Sequence, residues 1–298
     1  MVFLGIGFIL GIILGSLVLC IASRALTGES FWGRSYCEKC KHKLAWYDLL
    51  PVLSYTLLKG KCRYCKKKIS IEYLIVEICM GLLVGFLFYQ ILNGPLNILI
   101  TPNGSLRILE FLFKALVISI LAAVFITDYK TGLIPDRISF PAIKIALVYL
   151  LTLTAYKIFL IYYSLQNSMI GKYLLPPHSD YFFRHSLIAT EVLTSGIAAA
   201  LLVGLFFAIL IFVTRGRGMG GGDLKLGVFM GLALGVQNVI LALMLAFFMG
   251  SIVGLGLLLT RRKKFGQTIP FGPFLTIGSL IALFWGEEII RWYMRFNT

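Results

Sequence analysis

The sequence predicts an all-α polytopic membrane protein with about eight transmembrane helices and a cytoplasmic four-cysteine zinc loop. Hydrophobic residues make up 59% of the 298 residues and charged residues only 14%, whereas soluble domains average about 45–50% and about 25%. Apolar stretches of bilayer-spanning length recur along the chain, and basic residues gather in alternate connections between them. This composition excludes a soluble globular enzyme, a disordered chain and a small disulfide-stapled secreted domain.

Eight stretches are apolar enough to be spans, since a spanning helix needs about 20 mainly apolar residues. The first is followed by Arg24 and has no basic segment before it, so we interpret it as a retained helix and not as a cleavable signal peptide. The stretch after Asp223 has only 13 residues. We place its turn at Gln237-Asn238 and interpret it as a broken helix among its neighbours. The predicted spans are 2–22, 73–92, 108–127, 138–156, 185–213, 224–236, 239–260 and 271–290.

The basic residues orient these spans. The loop 24–72 contains 11 Lys and Arg residues. Across all the connections, 20 basic residues fall on the side of that loop and 6 on the other side, which is a strong positive-inside signal. We therefore expect both termini outside and the large loop in the cytoplasm. The net charge of +15 then reflects cationic loops beside anionic membrane lipid, and no nucleic-acid partner is expected.

Four of the six cysteines form two CxxC pairs within this basic loop. Cys37 and Cys40 are separated from Cys62 and Cys65 by 21 residues. A CxxC turn lets two thiolates converge on one ion, and two such turns complete the tetrahedral ligand set of a structural zinc site. Two disulfides or a redox dithiol are the alternatives, and the reducing cytoplasm favours zinc over both.

Acids in or against apolar spans are costly and are candidates for function. Asp128 ends the third predicted span, and Asp223 follows a glycine-rich segment and begins another, 95 residues later. Both lie at the same predicted membrane edge. Two close carboxylates share a proton, so one can take a proton from water while the other holds a carbonyl oxygen. That is the chemistry of peptide-bond hydrolysis.

Other interpretations of these acids stay open at this point. Asp136 and Asp223 are at predicted helix N-termini, where an acid is favourable by about 0.3–1 kcal/mol and serves as a cap. Asp128 ends its helix, where the same dipole makes an acid unfavourable, so it needs another reason. A proton-coupled transporter with a zinc-bound cytoplasmic cap also needs membrane acids, although these usually lie near the midplane. A dithiol oxidoreductase is a further alternative for the cysteine pairs.

Several separate motifs, spread over nearly the whole chain, point to one family. The segment 218–226 (GMGGGDLKL) contains a GxGD pattern, and Asp128 is followed by the turn 134–136 (IPD). The segment 46–55 (WYDLLPVLSY) lies between the cysteine pairs, and 269–274 (IPFGPF) precedes the last span. Together these motifs resemble the type IV prepilin leader peptidases, which are GxGD intramembrane aspartic proteases.

The resemblance implies two activities in a multi-pass protein of the bacterial cytoplasmic membrane. The first removes the basic leader from a prepilin of type IV pili, or from a pseudopilin of type II secretion, at the cytoplasmic face. The second N-methylates the new N-terminal residue with S-adenosylmethionine. It implies Asp128 and Asp223 as the catalytic pair and Glu77 as an acid linked to methylation. The implied zinc ligands are Cys37, Cys40, Cys62 and Cys65.

The resemblance also implies a division of the chain into four parts. Residues 1–23 are the first transmembrane helix, and 24–72 are the zinc-binding loop associated with methylation. Residues 73–107 are the second transmembrane helix and an outside loop, and 108–298 are the GxGD peptidase membrane domain. The aspartates are further apart than is usual in the family, because of an outside segment near 153–184. No GxGxxG follows a strand, so the methyl donor is not expected in a Rossmann-type site.

Overall fold

The computed structural model describes residues 2–37, 39–92, 102–177, 179–216, 219–260 and 269–295. Within these ranges the chain is helical and contains no strand, only two isolated β-bridges in the cysteine loop. Single 3-10 turns lie at Trp46–Leu49 and Gly171–Leu174. The helices are α1 Val2–Thr27, α2 Leu53–Leu57, α3 Glu72–Leu92, α4 Pro102–Thr131, α5 Asp136–Gln166, α6 Tyr181–Ala189, α7 Glu191–Val213, α8 Gly221–Leu259 and α9 Gly272–Arg295.

Seven helical segments in the described part of the chain are long and apolar enough to cross a membrane. The all-helical, multi-pass architecture is therefore confirmed, with seven helices where about eight were expected. The difference comes from α8, which contains both the predicted short span and the span after it. Arg217 and the basic run 261–264, which helped to orient the prediction, lie outside the described residues.

Helix α8 folds back on itself at Gly235, which has φ 74° and ψ 176°. A Cβ built on Gly227 would lie 2.7 Å from the Phe207 ring, and the neighbouring Phe206 ring is 6.0 Å from that of Phe247. Phe206 and Phe207, which are adjacent in α7, thus contact positions 227 and 247 of α8. These positions are 20 residues apart, and a straight helix would separate them by about 30 Å. Two apolar segments are present, as expected, but the turn predicted at Gln237-Asn238 is wrong by two residues.

Several helices extend beyond the predicted spans, and two spans differ from the prediction most clearly. The span 185–213 is divided at Thr190 into α6 and α7. The span 138–156 continues as α5 to Gln166, so the predicted outside segment near 153–184 begins as a helical extension. It ends with a 3-10 turn and the first residues of α6.

The chain divides into two compact units, Met1–Ile138 and Ser139–Thr298. In the first unit, α1 and α3 run antiparallel and approach closely because glycines line their contact. A Cβ on Gly7 would lie 2.5 Å from Phe88, and one on Gly15 would lie 2.9 Å from the backbone of Glu77. Small residues spaced by four are the usual means of close approach between apolar helices. This packing brings Glu77 against α1.

In the second unit, α7 packs on the first half of α8, and α9 packs on the second half. A Cβ on Gly231 would lie 2.5 Å from the backbone nitrogen of Ala200, so these helices touch backbone to backbone. On the other half, the Phe247 ring lies 4.9 Å from that of Phe271, and Gly286 accommodates Asn238. The return at Gly235 thus gives α7 and α9 a shared partner.

Candidate active site and metal centre

The two CxxC segments form equivalent backbone turns. In the first, the Lys41 amide donates to the Cys37 carbonyl at 2.8 Å, and Lys41 has φ 57°. In the second, the Lys66 amide donates to the Cys62 carbonyl at 2.9 Å, and Lys66 has φ 58°. The first cysteine of each turn also donates its amide to the carbonyl five residues later, at 2.9 Å in both cases. Such repeated geometry points the two thiols of each turn in one direction.

The four thiols converge on one point. The sulfur atoms of Cys37, Cys40, Cys62 and Cys65 all lie within 4.8 Å of one another, and those of Cys37 and Cys65 are 4.0 Å apart. A ZnS₄ tetrahedron with bonds of about 2.3 Å separates its sulfurs by about 3.8 Å, whereas a disulfide needs about 2.05 Å. All four are free thiols, so the donor set and its spacing fit a closed tetrahedral metal site.

Thiol acidity in the cluster is uneven. Burial raises the pKa of the Cys37 thiol, but hydrogen bonds from the backbone of Cys40 and Lys39 outweigh it and lower that pKa to about 7. The His42 backbone lowers the pKa of Cys40, but desolvation and the thiols of Cys37 and Cys65 raise it to about 11. The Cys37 thiolate therefore forms near neutral pH, whereas the raised pKa of Cys40 means that its thiol needs a bound cation to ionise there.

The second turn is fixed by Asp48, a residue that the sequence analysis did not single out. Its carboxylate accepts from the Arg63 guanidinium at 2.7 Å and from the Tyr64 hydroxyl at 3.3 Å. The side chain of Asp48 is 3% exposed. The Tyr64 ring in turn packs against the His42 ring, with 3.7 Å between centroids and the planes tilted by 37°, which joins the two turns. The sequence did offer a signal for Asp48. It is an acid within a strongly basic loop, and such an acid is expected to pair with one of the loop's cations.

Asp128 lies in the last turn of α4 and is 4% exposed. Its carbonyl accepts from the amide of Gly132 at 2.7 Å, and Gly132, with φ 65°, ends the helix. The helix dipole disfavours an acid at this position, and burial adds a desolvation cost. Both effects make an acid costly at this position, so Asp128 remains a candidate for a functional role.

Asp223 lies in the first turn of α8 and is half-buried. Its carboxylate accepts from the Gly220 amide at 3.2 Å. Asp223 therefore caps the helix, as the capping interpretation predicts. One oxygen serves that cap, and Gly221, next to it, is open on its outer side. Nearby, the Lys225 ammonium lies 4.7 Å from the centre of the Phe140 ring at the start of α5. Asp128 belongs to the first unit and Asp223 to the second.

Glu77 lies within α3, is 6% exposed, and accepts from the backbone amide of Val52 at 2.7 Å. On the other side, α1 packs against this part of α3, since a Cβ on Gly15 would lie 2.9 Å from the Glu77 backbone. The contact between Val52 and Glu77 was not predicted from the sequence. The structure therefore shows Glu77 fastening the cysteine loop to the helices, and its link to methylation stays a prediction.

Comparison with known proteins gives the same family for both parts of the chain. Residues 9–91 match the model of the bacterial peptidase A24 N-terminal domain, and residues 115–255 match that of the type IV leader peptidase family. No solved structure matches the chain.

Relatives of known name cover most of the chain. The prepilin leader peptidase/N-methyltransferase of Aeromonas salmonicida (strain A449) is 31% identical over 262 residues, which are 88% of this chain and 74% of the relative. The protein of that name from Bacillus subtilis (strain 168) is 30% identical over 297 residues, 98% of each chain. The one from Pseudomonas aeruginosa is 28% identical over 88% of this chain and 75% of the relative. Because the 30% identity to the Bacillus subtilis protein extends over 98% of both chains, the protein belongs to the type IV leader peptidase family.

Proposed function

We propose that this protein is a membrane aspartic endopeptidase that removes the leader from prepilins or pseudopilins and then N-methylates the new N-terminus. The similarity over 98% of a prepilin leader peptidase/N-methyltransferase is the observation that carries the proposal. The buried acid at the end of α4 and the acid after three glycines at the start of α8 supply the chemistry. The comparisons lend no support to the transporter alternative.

In this proposal Asp128 and Asp223 act as a pair. One carboxylate, ionised, takes a proton from water as the water oxygen attacks the scissile carbonyl. The other, protonated, donates to the carbonyl oxygen, and a proton then passes to the leaving amine as the carbon–nitrogen bond breaks. The glycines before Asp223 leave room for an extended substrate backbone.

We also propose the orientation given by the basic residues, with the cysteine loop and both aspartates at the cytoplasmic face of the inner membrane. Cys37, Cys40, Cys62 and Cys65 would hold zinc, which would stabilise the fold of the loop and leave no coordination position for substrate. The methyl donor would be S-adenosylmethionine, and it supplies the methyl group. We assign no residue to it, because the Glu77 carboxylate already accepts a hydrogen bond from the Val52 amide.

The test is cleavage of a prepilin by the full-length protein in membranes, with the product read by mass spectrometry. Asp223→Asn and Asp128→Asn are expected to lower the cleavage rate by at least about 10³-fold, because each removes an essential proton donor or acceptor. Asp136→Asn is the matched control, since Asp136 is an exposed acid at the start of α5. Mature product heavier by one methyl group, only with S-adenosylmethionine present, would establish the second activity. Undiminished cleavage by Asp223→Asn would refute the catalytic pair.

A further inference from the structure

Part of the cysteine loop exposes large apolar side chains that the thiol cluster does not use. We call residues 46–57 the apolar segment; it contains the 3-10 turn Trp46–Leu49 and helix α2. Trp46 is 76% exposed and Leu57 is 81% exposed. The exposed apolar side chains are Trp46, Tyr47, Leu49, Leu50, Leu53 and Leu57. Such a concentration of apolar surface marks an interaction site.

The depth of this segment is fixed by its bond to Glu77. The Val52 amide contacts the Glu77 carboxylate at 2.7 Å, and α3 begins at Glu72. Glu77 therefore lies five residues, or about 7.5 Å, further along the helix axis. Val52, in the middle of the apolar segment, therefore lies beside α3 below the level at which that helix begins. Interfacial segments bury their apolar face by about 5–10 Å, which is the same depth.

The backbone conformation of Val52 shows that its position beside α3 is held by specific contacts. Val52 has φ 62°, a conformation that β-branched residues rarely adopt. Such a conformation persists only where the surroundings hold it. Here the Glu77 carboxylate accepts from the Val52 amide, and α1 packs against the Glu77 backbone at Gly15. Two apolar helices thus set the level of the turn.

The charges around the segment identify its partner. The loop leaves α1 at Thr27 and returns to α3 at Glu72, so both of its ends are tied to membrane helices. Immediately after α2, the chain exposes Lys59, Lys61 and the run 66–68 (KKK). Juxtamembrane lysines attract anionic headgroups, and tryptophan and tyrosine favour the boundary between headgroups and acyl chains.

We propose that the apolar segment inserts into the surface of an anionic bilayer and anchors the four-cysteine cluster there. Trp46, Leu53 and Leu57 enter the headgroup–acyl boundary, and the lysines contact lipid phosphate. The anchor depends on α1 and α3 spanning the bilayer and is independent of the proposed peptidase activity.

Two tryptophans of the same loop allow an internally controlled test. Trp32 is 91% exposed. The residues on either side of it are held by the Arg24 guanidinium, which donates to the Phe31 carbonyl at 2.6 Å and to the Gly33 carbonyl at 3.1 Å. Arg24 lies eight residues beyond Ser16 on α1, or about 12 Å further from the bilayer centre. Trp32 is thus expected in water, whereas Trp46 is expected in lipid.

The experiment uses the full-length protein in phosphatidylglycerol-containing vesicles, with phospholipid brominated near the top of the acyl chains. One variant keeps only Trp46 (W32F/W285F/W292F), and the other keeps only Trp32 (W46F/W285F/W292F). Bromolipid is expected to quench Trp46 at least about twofold more strongly than Trp32, and aqueous iodide is expected to do the reverse. Equal quenching of the two tryptophans overturns the proposal. Protection of Trp46 from iodide without bromolipid quenching also overturns it, because protein then covers the segment.

Two further measurements separate the lipid contacts from folding. In the Trp46-only chain, Leu53→Asp/Leu57→Asp is expected to abolish the excess bromolipid quenching while the zinc content is unchanged. Full quenching in that variant would contradict the anchor. Replacing phosphatidylglycerol with phosphatidylcholine is expected to lower the quenching of Trp46, and unchanged quenching would overturn the role of the lysines.

Discussion

At the scale of single residues, Glu77 shows how a buried carboxylate can join a loop to a helix pair. The hydrogen bond from Val52 crosses 25 residues of sequence and uses a backbone amide, which leaves no pattern in the sequence. Only the presence of an acid near a span end was predictable. The four clustered cysteines are the opposite case, because the CxxC spacing itself determines the turn that brings two thiols together. Asp128 and Asp223 were predicted from their positions at helix ends, and their catalytic role stays a prediction.

Replacing Glu77 with alanine leaves the Val52 amide without its acceptor. We expect Glu77→Ala to lower the free energy of unfolding by about 1–3 kcal/mol, the cost of an unsatisfied buried donor. Thermal unfolding of the purified protein in detergent measures the change. Glu287→Ala is the control, because that side chain is 84% exposed and its pairing with Arg291 at 3.8 Å contributes little. Equal melting temperatures for the two variants would contradict the anchoring role.

Removing one thiol should open the metal site. Cys62 is 3% exposed and belongs to the cluster, so Cys62→Ser is expected to lose zinc during a chelator wash, whereas the wild type keeps about one zinc per chain. Elemental analysis of the purified protein gives the ratio. Cys79→Ser provides the comparison, since Cys79 lies on an exposed face of α3. Full zinc retention by Cys62→Ser would show that the cluster is not the site.

At the scale of elements, the apolar stretches predicted most helices to within a few residues, because bilayer-length hydrophobicity is a strong signal. The break in α8 was harder to place. Asn238 resembled a turn residue, yet it packs against Gly286 of α9, and the reversal uses Gly235 instead. A glycine within an apolar helix can mark a kink, a close helix contact or neither, and only the neighbours decide which.

Two glycines of α8 allow these roles to be distinguished. A Cβ at Gly231 would lie 2.5 Å from Ala200, whereas a Cβ at Gly256 would meet nothing within 4 Å. Gly231→Ala should separate α7 from α8 and destabilise the protein by about 1–3 kcal/mol. Gly256→Ala should be neutral or stabilising by up to about 1 kcal/mol, through helix propensity alone. Melting temperatures compare the two, and a similar loss in both variants would contradict the backbone contact.

At the scale of the whole molecule, the two compact units and the two family matches describe the chain in different ways. The units divide at Ile138, whereas the family models cover 9–91 and 115–255. The four-part division predicted from the resemblance stays a prediction. Charge patterning predicts sidedness but not fold, since it acts between the protein and the membrane and not within the chain.

The fold-back at Gly235 determines the side of the membrane on which α9 begins. The first half of α8, residues 221–234, is about 21 Å long, shorter than the roughly 30 Å hydrocarbon core. The second half returns beside the same α7 residues, so both ends of α8 lie on one side. If the N-terminus is outside, as the basic residues predict, we expect the connection that follows Leu259 to be cytoplasmic and the end of α9 to be outside. A straight α8 would reverse both positions.

Reporter fusions test that sidedness directly. Alkaline phosphatase, which is active only outside the cytoplasm, is expected to be active when fused after residue 298 and inactive when fused after residue 264. A cytoplasm-dependent fluorescent reporter at the same sites should give the opposite result, which controls for expression. High phosphatase activity at 264 together with low activity at 298 would show that α8 crosses once. The positive-inside assignment would then fail for the four basic residues of 261–264, because their predicted cytoplasmic side depends on the return at Gly235.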